Sequence, residues 1–176
     1  MSTVRVTRND LQRLLVAGTI AAVLDATFAF FAYVVIAGRY DFESLLQYIA
    51  SGLLGHYAFA HHGVTGWLIA ALGFALHFGI SLSVAGIFFV ALRPFTTTRM
   101  RTVALGLLYG AAVWMFNAGV VLPLTDTRHE PFLGGWYIPF DHALFVGLPI
   151  AIVLASRAPR LTPIRARVAP RAATEH

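Results

Sequence analysis

One uninterrupted apolar run constrains the fold of this chain more than any other feature. From Gly63 to Leu92 the sequence contains no Asp, Glu, Lys or Arg, and the run ends at Arg93. A helix needs about 20 apolar residues to cross the ~30 Å hydrocarbon layer of a bilayer. The run therefore predicts a membrane-spanning helix over about 64–92, with one histidine, His77, near its middle.

Three more segments have the length and apolarity of spans, at about 14–37, 102–122 and 140–156. Only 12% of the 176 residues are charged, against about 25% in soluble domains. The predicted fold class is all-α, an integral membrane four-helix bundle that forms one transmembrane domain over 1–157. The remainder, 158–176, is rich in Arg, Pro and Ala and is predicted to be a basic, disordered cytoplasmic tail.

A less regular segment, at about 44–60, lies between the first and second predicted spans. It is apolar but is interrupted by glycine and polar residues, and it is short for a crossing. These properties predict an additional short interfacial or re-entrant helix, capped by Asp41 or Ser44. If it did cross, the count would be five spans and the two termini would lie on opposite sides. The cap of the first span is predicted to be Asn9 or Asp10.

The arginines predict the orientation, because all 13 basic residues are Arg. With four spans, only Arg39 and Arg128 lie on one side. The other side receives Arg5, Arg8, Arg13, Arg93, Arg99, Arg101, Arg157, Arg160, Arg165, Arg167 and Arg171. By the positive-inside rule, both termini are expected in the cytoplasm. The arginine bias suits a GC-rich bacterial genome, so the predicted location is a bacterial inner membrane, and topology explains the net charge of +5 without a nucleic-acid partner.

Asp25 is the costliest residue in the predicted spans. A carboxylate at mid-membrane costs about 2.5–3.5 kcal/mol even on lenient insertion scales. His77 is expected at a similar depth on the next full span, so an Asp25–His77 hydrogen bond is available. Such a pair is typical of a proton relay or a ligand anchor, and it is also typical of a structural bond that fixes helix register.

Four further polar residues are candidates for binding a ligand or handling protons: Gln47, Tyr109, Asn117 and His142. Asn117 and His142 are expected nearer the outer surface. Counted at about 1.5 Å per residue from Trp67 and Trp136, His77 is about 15 Å deep and His142 about 9 Å deep. A haem ligated by these two histidines would have to bridge the difference of about 6 Å, so haem remains an alternative that tilted helices would permit.

Three histidines precede the second span, and they are weak candidates for a metal site. His56, His61 and His62, with His129 from a later loop, have acidic residues nearby in the sequence at Asp41, Glu43, Asp126 and Glu130. Histidines five and six apart share a metal only if the chain turns between them, and the spacing matches no strong metal motif. The chain contains no cysteine. We therefore expect a solvated, histidine-rich segment and no metal.

Several fragments together resemble a known group of proteins: LLQYIASGLLG, ALHFGIS, LLYGAAVWMFNAGVVLPL and DHALFVGLPIAIVLASR. They are similar to a widespread family of uncharacterised bacterial four-span inner-membrane proteins and, more distantly, to the YagU-type inner-membrane proteins. The resemblance covers most of 14–157 and implies an integral inner-membrane protein without an assigned reaction. The matching positions are Gln47, Ser51, Gly52, His77, Asn117, Pro123 and His142.

Three classes of function are consistent with these patterns. No Ser-His-Asp pattern, phosphate loop or HExxH helix is present, which argues against an enzyme. The leading hypothesis is a small bundle that binds a lipid-like or apolar ligand, or a subunit of a larger membrane assembly. The alternatives are a proton-coupled transporter or channel-like protein that uses Asp25 and His77, and a haem- or metal-binding redox protein that uses His77 and His142. The Gly106-x-x-x-Gly110 pair predicts close packing, within the bundle or in a homo-oligomer.

Overall fold

The computed structural model describes residues 7–125 and 138–155, and within these ranges every regular element is helical. The predicted all-α class is therefore confirmed for this part of the chain. The predicted tail, 158–176, lies outside the described residues. Five helices follow one another in the described part: α1 (Arg8–Ile36), α2 (Phe42–Leu54), α3 (Gly63–Ala91), α4 (Arg99–Leu124) and α5 (Pro139–Leu154).

Three of these helices are long and apolar enough to cross a membrane. Helices α1 and α3 each have 29 residues and α4 has 26. At about 1.5 Å per residue they are roughly 39–43 Å long, more than the ~30 Å of hydrocarbon. Helix α5 is apolar but shorter, about 24 Å over Pro139–Leu154. The protein is thus a helical membrane protein, and the fourth span stays a prediction.

Side-chain caps fix where the first two helices begin. Thr7 caps α1 by accepting a hydrogen bond from the backbone of Asp10, whose side chain accepts one from the backbone of Thr7 in return. The prediction of Asn9 or Asp10 as the cap was therefore wrong, because Asp10 occupies the third helical position of a capping box. Asp41 caps α2 by accepting a hydrogen bond from the backbone of Ser44 at 2.7 Å.

Helix α1 lies between α3 and α5, while α2 packs on α3 and α4 packs on α5. Small residues bring α1 close to α3: Gly18 is buried, and a Cβ added there would lie 2.7 Å from the Leu82 side chain. Ala17 and Ala21 are fully buried in a core that also contains Phe88 and Ile150. This close approach of α1 to α3 and α5 brings Asp25 of α1 near both helices.

Glycines likewise join α4 and α5. A Cβ added to Gly147 would collide with the carbonyl oxygen of Gly106 and the backbone nitrogen of Gly110. A Cβ at Gly110 would collide with the carbonyl oxygen of His142. The Gly106-x-x-x-Gly110 pair therefore serves packing inside the protomer, one of the two uses that its spacing predicts.

Ionic and polar contacts tie three helices together at one end of the bundle. The Arg13 guanidinium of α1 donates to the carbonyl oxygen of Val153 at 3.1 Å and to that of Ala155 at 2.9 Å, at the end of α5. Arg93, just after α3, lies 3.0 Å from the Asp10 carboxylate. Helix α1 is therefore antiparallel to both α3 and α5, with its arginine-bearing start beside their ends.

Candidate functional site: a buried Asp and His cluster

One polar cluster lies where α1 and α5 meet. Asp25 of α1 and Asp141 and His142 of α5 each contribute one atom of metal-ligand type, and these three atoms lie within 4.8 Å of one another. His142 also begins a π-helical segment, His142–Gly147, inside α5. Local π-helical geometry is rare and occurs often at functional sites. Asp141 was not among the residues that the sequence predicts for a site.

The antiparallel register of α1 and α5 explains why these residues meet. Twelve residues separate Arg13 from Asp25 on α1, and twelve separate Asp141 from Val153 on α5. Since Arg13 binds Val153 and the two helices have the same rise, Asp25 and Asp141 come to the same depth. Close glycine contacts join α5 to α4 as well, next to His142.

The predicted depth of His142 was counted from Trp136, which lies outside the described residues. That depth therefore stays a prediction.

The cluster contains buried polar atoms without partners. Asp141 is only 5% exposed, and among residues 7–125 and 138–155 its Oδ1 atom has no hydrogen-bond partner. The Nδ1 atom of His142 likewise has no hydrogen-bond partner in that part of the chain, although it lies 3.5 Å from Asp141 Oδ2. A buried polar atom without a partner costs on the order of 1–3 kcal/mol.

His77 is next to the cluster but is not hydrogen-bonded to it. Its Nε2 atom lies 2.9 Å from the carbonyl oxygen of Ala22 and 3.9 Å from Asp25 Oδ2. Because a carbonyl can only accept, Nε2 carries the hydrogen and donates it to Ala22. The expected Asp25–His77 hydrogen bond is therefore replaced by a longer electrostatic contact, since the α1 backbone offers His77 a nearer acceptor.

Tyr109 and Asn117 lie outside the cluster of Asp25, Asp141 and His142. The Tyr109 hydroxyl donates to the carbonyl oxygen of Val84 on α3 at 2.7 Å, and its ring packs edge-on against Phe88 with 5.3 Å between centroids. Tyr109 thus joins α4 to α3. Asn117 is half-buried and starts a π-helical segment of α4, about 10 Å beyond Gly110, the residue that contacts His142.

Gln47 belongs to a second buried polar cluster, between α2 and the start of α3. It is 1% exposed, and its amide nitrogen lies 3.1 Å from Glu43 Oε1, 3.1 Å from the carbonyl oxygen of His61 and 3.4 Å from that of Gly66. A Cβ added to Gly66 would collide with Glu43 Oε1, so the helices are in close contact here. These hydrogen bonds join α2 to the start of α3, and we call the group of Glu43, Gln47, His61 and Gly66 the clamp.

The weak metal candidates do not converge in the part of the chain that the structure describes. His56 and His62 are exposed, and the ring of His61 packs against Tyr57 with 4.7 Å between centroids. Within these residues, the group of three or more His, Asp or Glu with metal-ligand spacing is Asp25, Asp141 and His142. His129, with Asp126 and Glu130, lies outside the described residues.

No family model, curated protein or solved structure matches this chain. The resemblance to bacterial four-span inner-membrane proteins therefore stays a prediction. The interpretation of the site rests on its own geometry, namely two carboxylates and an imidazole that converge between α1 and α5 beside the imidazole of His77.

Proposed function

We propose that the protein is a proton-coupled membrane transporter or channel-like protein, and that Asp25, Asp141 and His142 form its proton-carrying centre. The observation that carries this proposal is the buried Asp141 carboxylate, which has an unpartnered oxygen within the described residues and lies beside Asp25 and His142. Intramembrane carboxylates and histidines that face one another are the usual components of proton relays.

Electrostatics gives the cluster a reason to bind protons. Two carboxylates within 4.8 Å repel each other strongly where little water is present. A proton on either carboxylate removes this repulsion, and the neighbouring His142 imidazole can accept or return that proton at Nδ1. The His77 imidazole lies beside these groups, with its Nε2 atom 3.9 Å from Asp25 Oδ2.

The other two hypotheses account for the cluster less well. A bundle that binds an apolar ligand, or one that is only an assembly subunit, has no use for a buried carboxylate with an unpartnered oxygen, such as Asp141. A haem held by His77 and His142 would require Nε2 of His77 to leave Ala22 or the ring to bind through its other nitrogen. It would also bring the haem against the Asp25 carboxylate, which lies next to both histidines.

We further propose four spans, with α5 as the fourth, in a bacterial inner membrane with both termini in the cytoplasm. The support is the charge at the two ends of the described bundle. Arg8 and Arg13 of α1 lie at the same end as Arg93 and as Arg99, which starts α4 after a short loop, whereas Arg39 lies at the other end. This asymmetry is the one that the positive-inside rule associates with a cytoplasmic face.

Proton flux into proteoliposomes tests the proposal. A valinomycin-clamped potassium gradient drives protons inward, and an entrapped pH-sensitive dye reports their entry. We expect the wild type to conduct protons and Asp25→Asn to fall to the level of empty liposomes. Glu43→Gln is the matched control, because it also replaces a carboxylate by an amide but retains the oxygen that accepts from Gln47. Equal flux in the wild type and Asp25→Asn would contradict the proposal.

A further inference from the structure

We infer that the Asp25, Asp141 and His142 cluster also binds a divalent first-row transition metal ion. The binding site rests on the geometry of the three side chains and goes beyond the proposed proton function. The chemical class follows from the donors, which are two carboxylate oxygens and one imidazole nitrogen.

The donor set selects among metals. Carboxylate and imidazole ligands without sulfur suit Zn²⁺, Mn²⁺, Fe²⁺ or Co²⁺, whereas Mg²⁺ and Ca²⁺ are usually bound by oxygen alone. Ligands around a tetrahedral zinc ion, at about 2.0–2.1 Å from the metal, are about 3.3 Å apart. The three donor atoms here lie within 4.8 Å of one another, so modest side-chain rotations suffice to close the site around an ion.

A second observation points to a ligand for the site. Asp141 is 95% buried, since only 5% of it is exposed, and its Oδ1 atom has no hydrogen-bond partner among residues 7–125 and 138–155. Its neighbour His142 presents a buried Nδ1 atom in the same state, 3.5 Å from the other Asp141 oxygen. A metal ion satisfies both atoms at once, which a hydrogen bond from a single donor does not.

Charge balance links the ion to the protons. Ionised Asp25 and Asp141 together carry two negative charges, which either one divalent cation or two protons neutralise. The ion and the protons therefore compete for the same oxygens, and binding of the metal releases the protons that it displaces. Since Nε2 of His77 donates to Ala22, the geometry assigns three protein ligands and leaves further coordination positions for water or for exchange.

Metal titration of the full-length protein tests this inference. The protein is purified in detergent without a polyhistidine tag, stripped with chelator, and titrated with Co²⁺ while its visible absorption is recorded, with Zn²⁺ as competitor. We expect one Co²⁺ per chain, displaced by Zn²⁺, and weaker binding at lower pH. Asp141→Asn and His142→Gln should each weaken binding by more than the ~10–100-fold that loss of an outer-shell partner costs.

Two matched variants serve as controls. Glu43→Gln and His61→Gln make the same chemical changes outside the cluster and should bind Co²⁺ like the wild type. Circular dichroism and gel filtration verify that each variant is folded. If Asp141→Asn does not fold, Asp25→Asn replaces it as the variant that lacks a carboxylate ligand. Absence of Co²⁺ and Zn²⁺ binding, or equal binding by the wild type and folded cluster variants, would overturn the inference.

The two proposals fail in different ways. If the wild type conducts protons through Asp25 but binds no metal, the metal site is wrong and the proton function stands. If the cluster binds one metal ion but Asp25→Asn leaves proton flux unchanged, the site is supported and the proton function is wrong.

Discussion

Two polar clusters in the described part of the molecule differ in how well their polar atoms are paired. In the clamp between α2 and α3, the Gln47 amide nitrogen has three oxygen acceptors within 3.4 Å. In the cluster between α1 and α5, Asp141 Oδ1 and His142 Nδ1 have no hydrogen-bond partner within residues 7–125 and 138–155. Each cluster contains one buried side chain, Gln47 at 1% exposure and Asp141 at 5%.

We infer from this difference that the Gln47 clamp is structural and that the α1–α5 cluster is the proposed functional site. Buried polar groups are nearly always paired, so a paired cluster such as that of Gln47 needs no role beyond holding helices together. A buried carboxylate such as Asp141, with one oxygen unpartnered, destabilises the fold unless something else binds it. We therefore expect substitutions in the Gln47 clamp to affect stability and substitutions in the α1–α5 cluster to affect transport.

The largest expected effect concerns proton flux. Asp141→Asn should reduce flux at least about tenfold, equivalent to about 1.4 kcal/mol in the barrier, because the amide cannot exchange a proton at neutral pH. Gln47→Leu should leave flux per folded protein within about twofold, because Gln47 is remote from the α1–α5 contact. Comparable losses in both variants would remove the distinction between the two clusters.

The next largest effect concerns the contact between α4 and α5, which lies next to the α1–α5 cluster. Gly147→Ala should lower the free energy of unfolding by about 1–3 kcal/mol, because its methyl group would collide with backbone atoms of Gly106 and Gly110. Gly79→Ala is the matched control, since a Cβ at Gly79 meets nothing within 4 Å. Unfolding in mixed micelles measures both, and equal stability of the two variants would show that α4 and α5 are not in backbone contact.

A smaller loss of stability is expected in the clamp. Gln47→Leu should cost about 1–2 kcal/mol, because it retains the volume but removes the donor shared by Glu43, His61 and Gly66. Asp141→Asn should cost less, since it removes a charge that is close to Asp25 and incompletely paired. The same unfolding assay measures both variants. Greater destabilisation by Asp141→Asn than by Gln47→Leu would contradict the structural role assigned to the clamp and the functional role assigned to the α1–α5 cluster.

The smallest effect concerns the cap of α2, which supports the clamp. The hydrogen bonds from the Ser44 backbone and side chain hold the pKa of Asp41 below its usual value. This stabilisation is present above the unfolded-state pKa and is lost as the pH falls through the lower, folded-state pKa. Asp41→Ala should cost about 1 kcal/mol at neutral pH. Thermal unfolding as a function of pH measures this loss of stability. Asp41→Asn should retain most of the cap but lose its pH dependence. The same dependence of stability on pH in Asp41→Asn and in the wild type would contradict this account.

The sequence predicted the helical class and the three long apolar helices because both depend on local properties, namely length and apolarity. It also identified Asp25, His77 and His142 as polar residues in apolar surroundings. It did not predict Asp141, since which side chains converge depends on the register between α1 and α5. That register depends on contacts between residues far apart in the sequence, such as Arg13 with Val153.

The Asp25–His77 hydrogen bond illustrates the same limit at atomic scale. The two residues, predicted to lie at similar depth, are 3.9 Å apart in the structure. The choice of partner was decided by a backbone carbonyl of Ala22, which lies one helical turn before Asp25 and is 2.9 Å from His77 Nε2. A competition between acceptors that are so close to each other cannot be resolved from spacing along the chain.

Infrared difference spectroscopy observes the protonation of the Asp25, Asp141 and His142 cluster most directly. Films of the protein in lipid are exchanged between alkaline and acidic buffer, and the C=O stretching band of protonated carboxyl groups is recorded. We predict a reversible band that is lost or strongly reduced in Asp25→Asn and Asp141→Asn but retained in Glu43→Gln. A band of the same intensity and position in all four proteins would show that the cluster exchanges no proton and would contradict the proposed function.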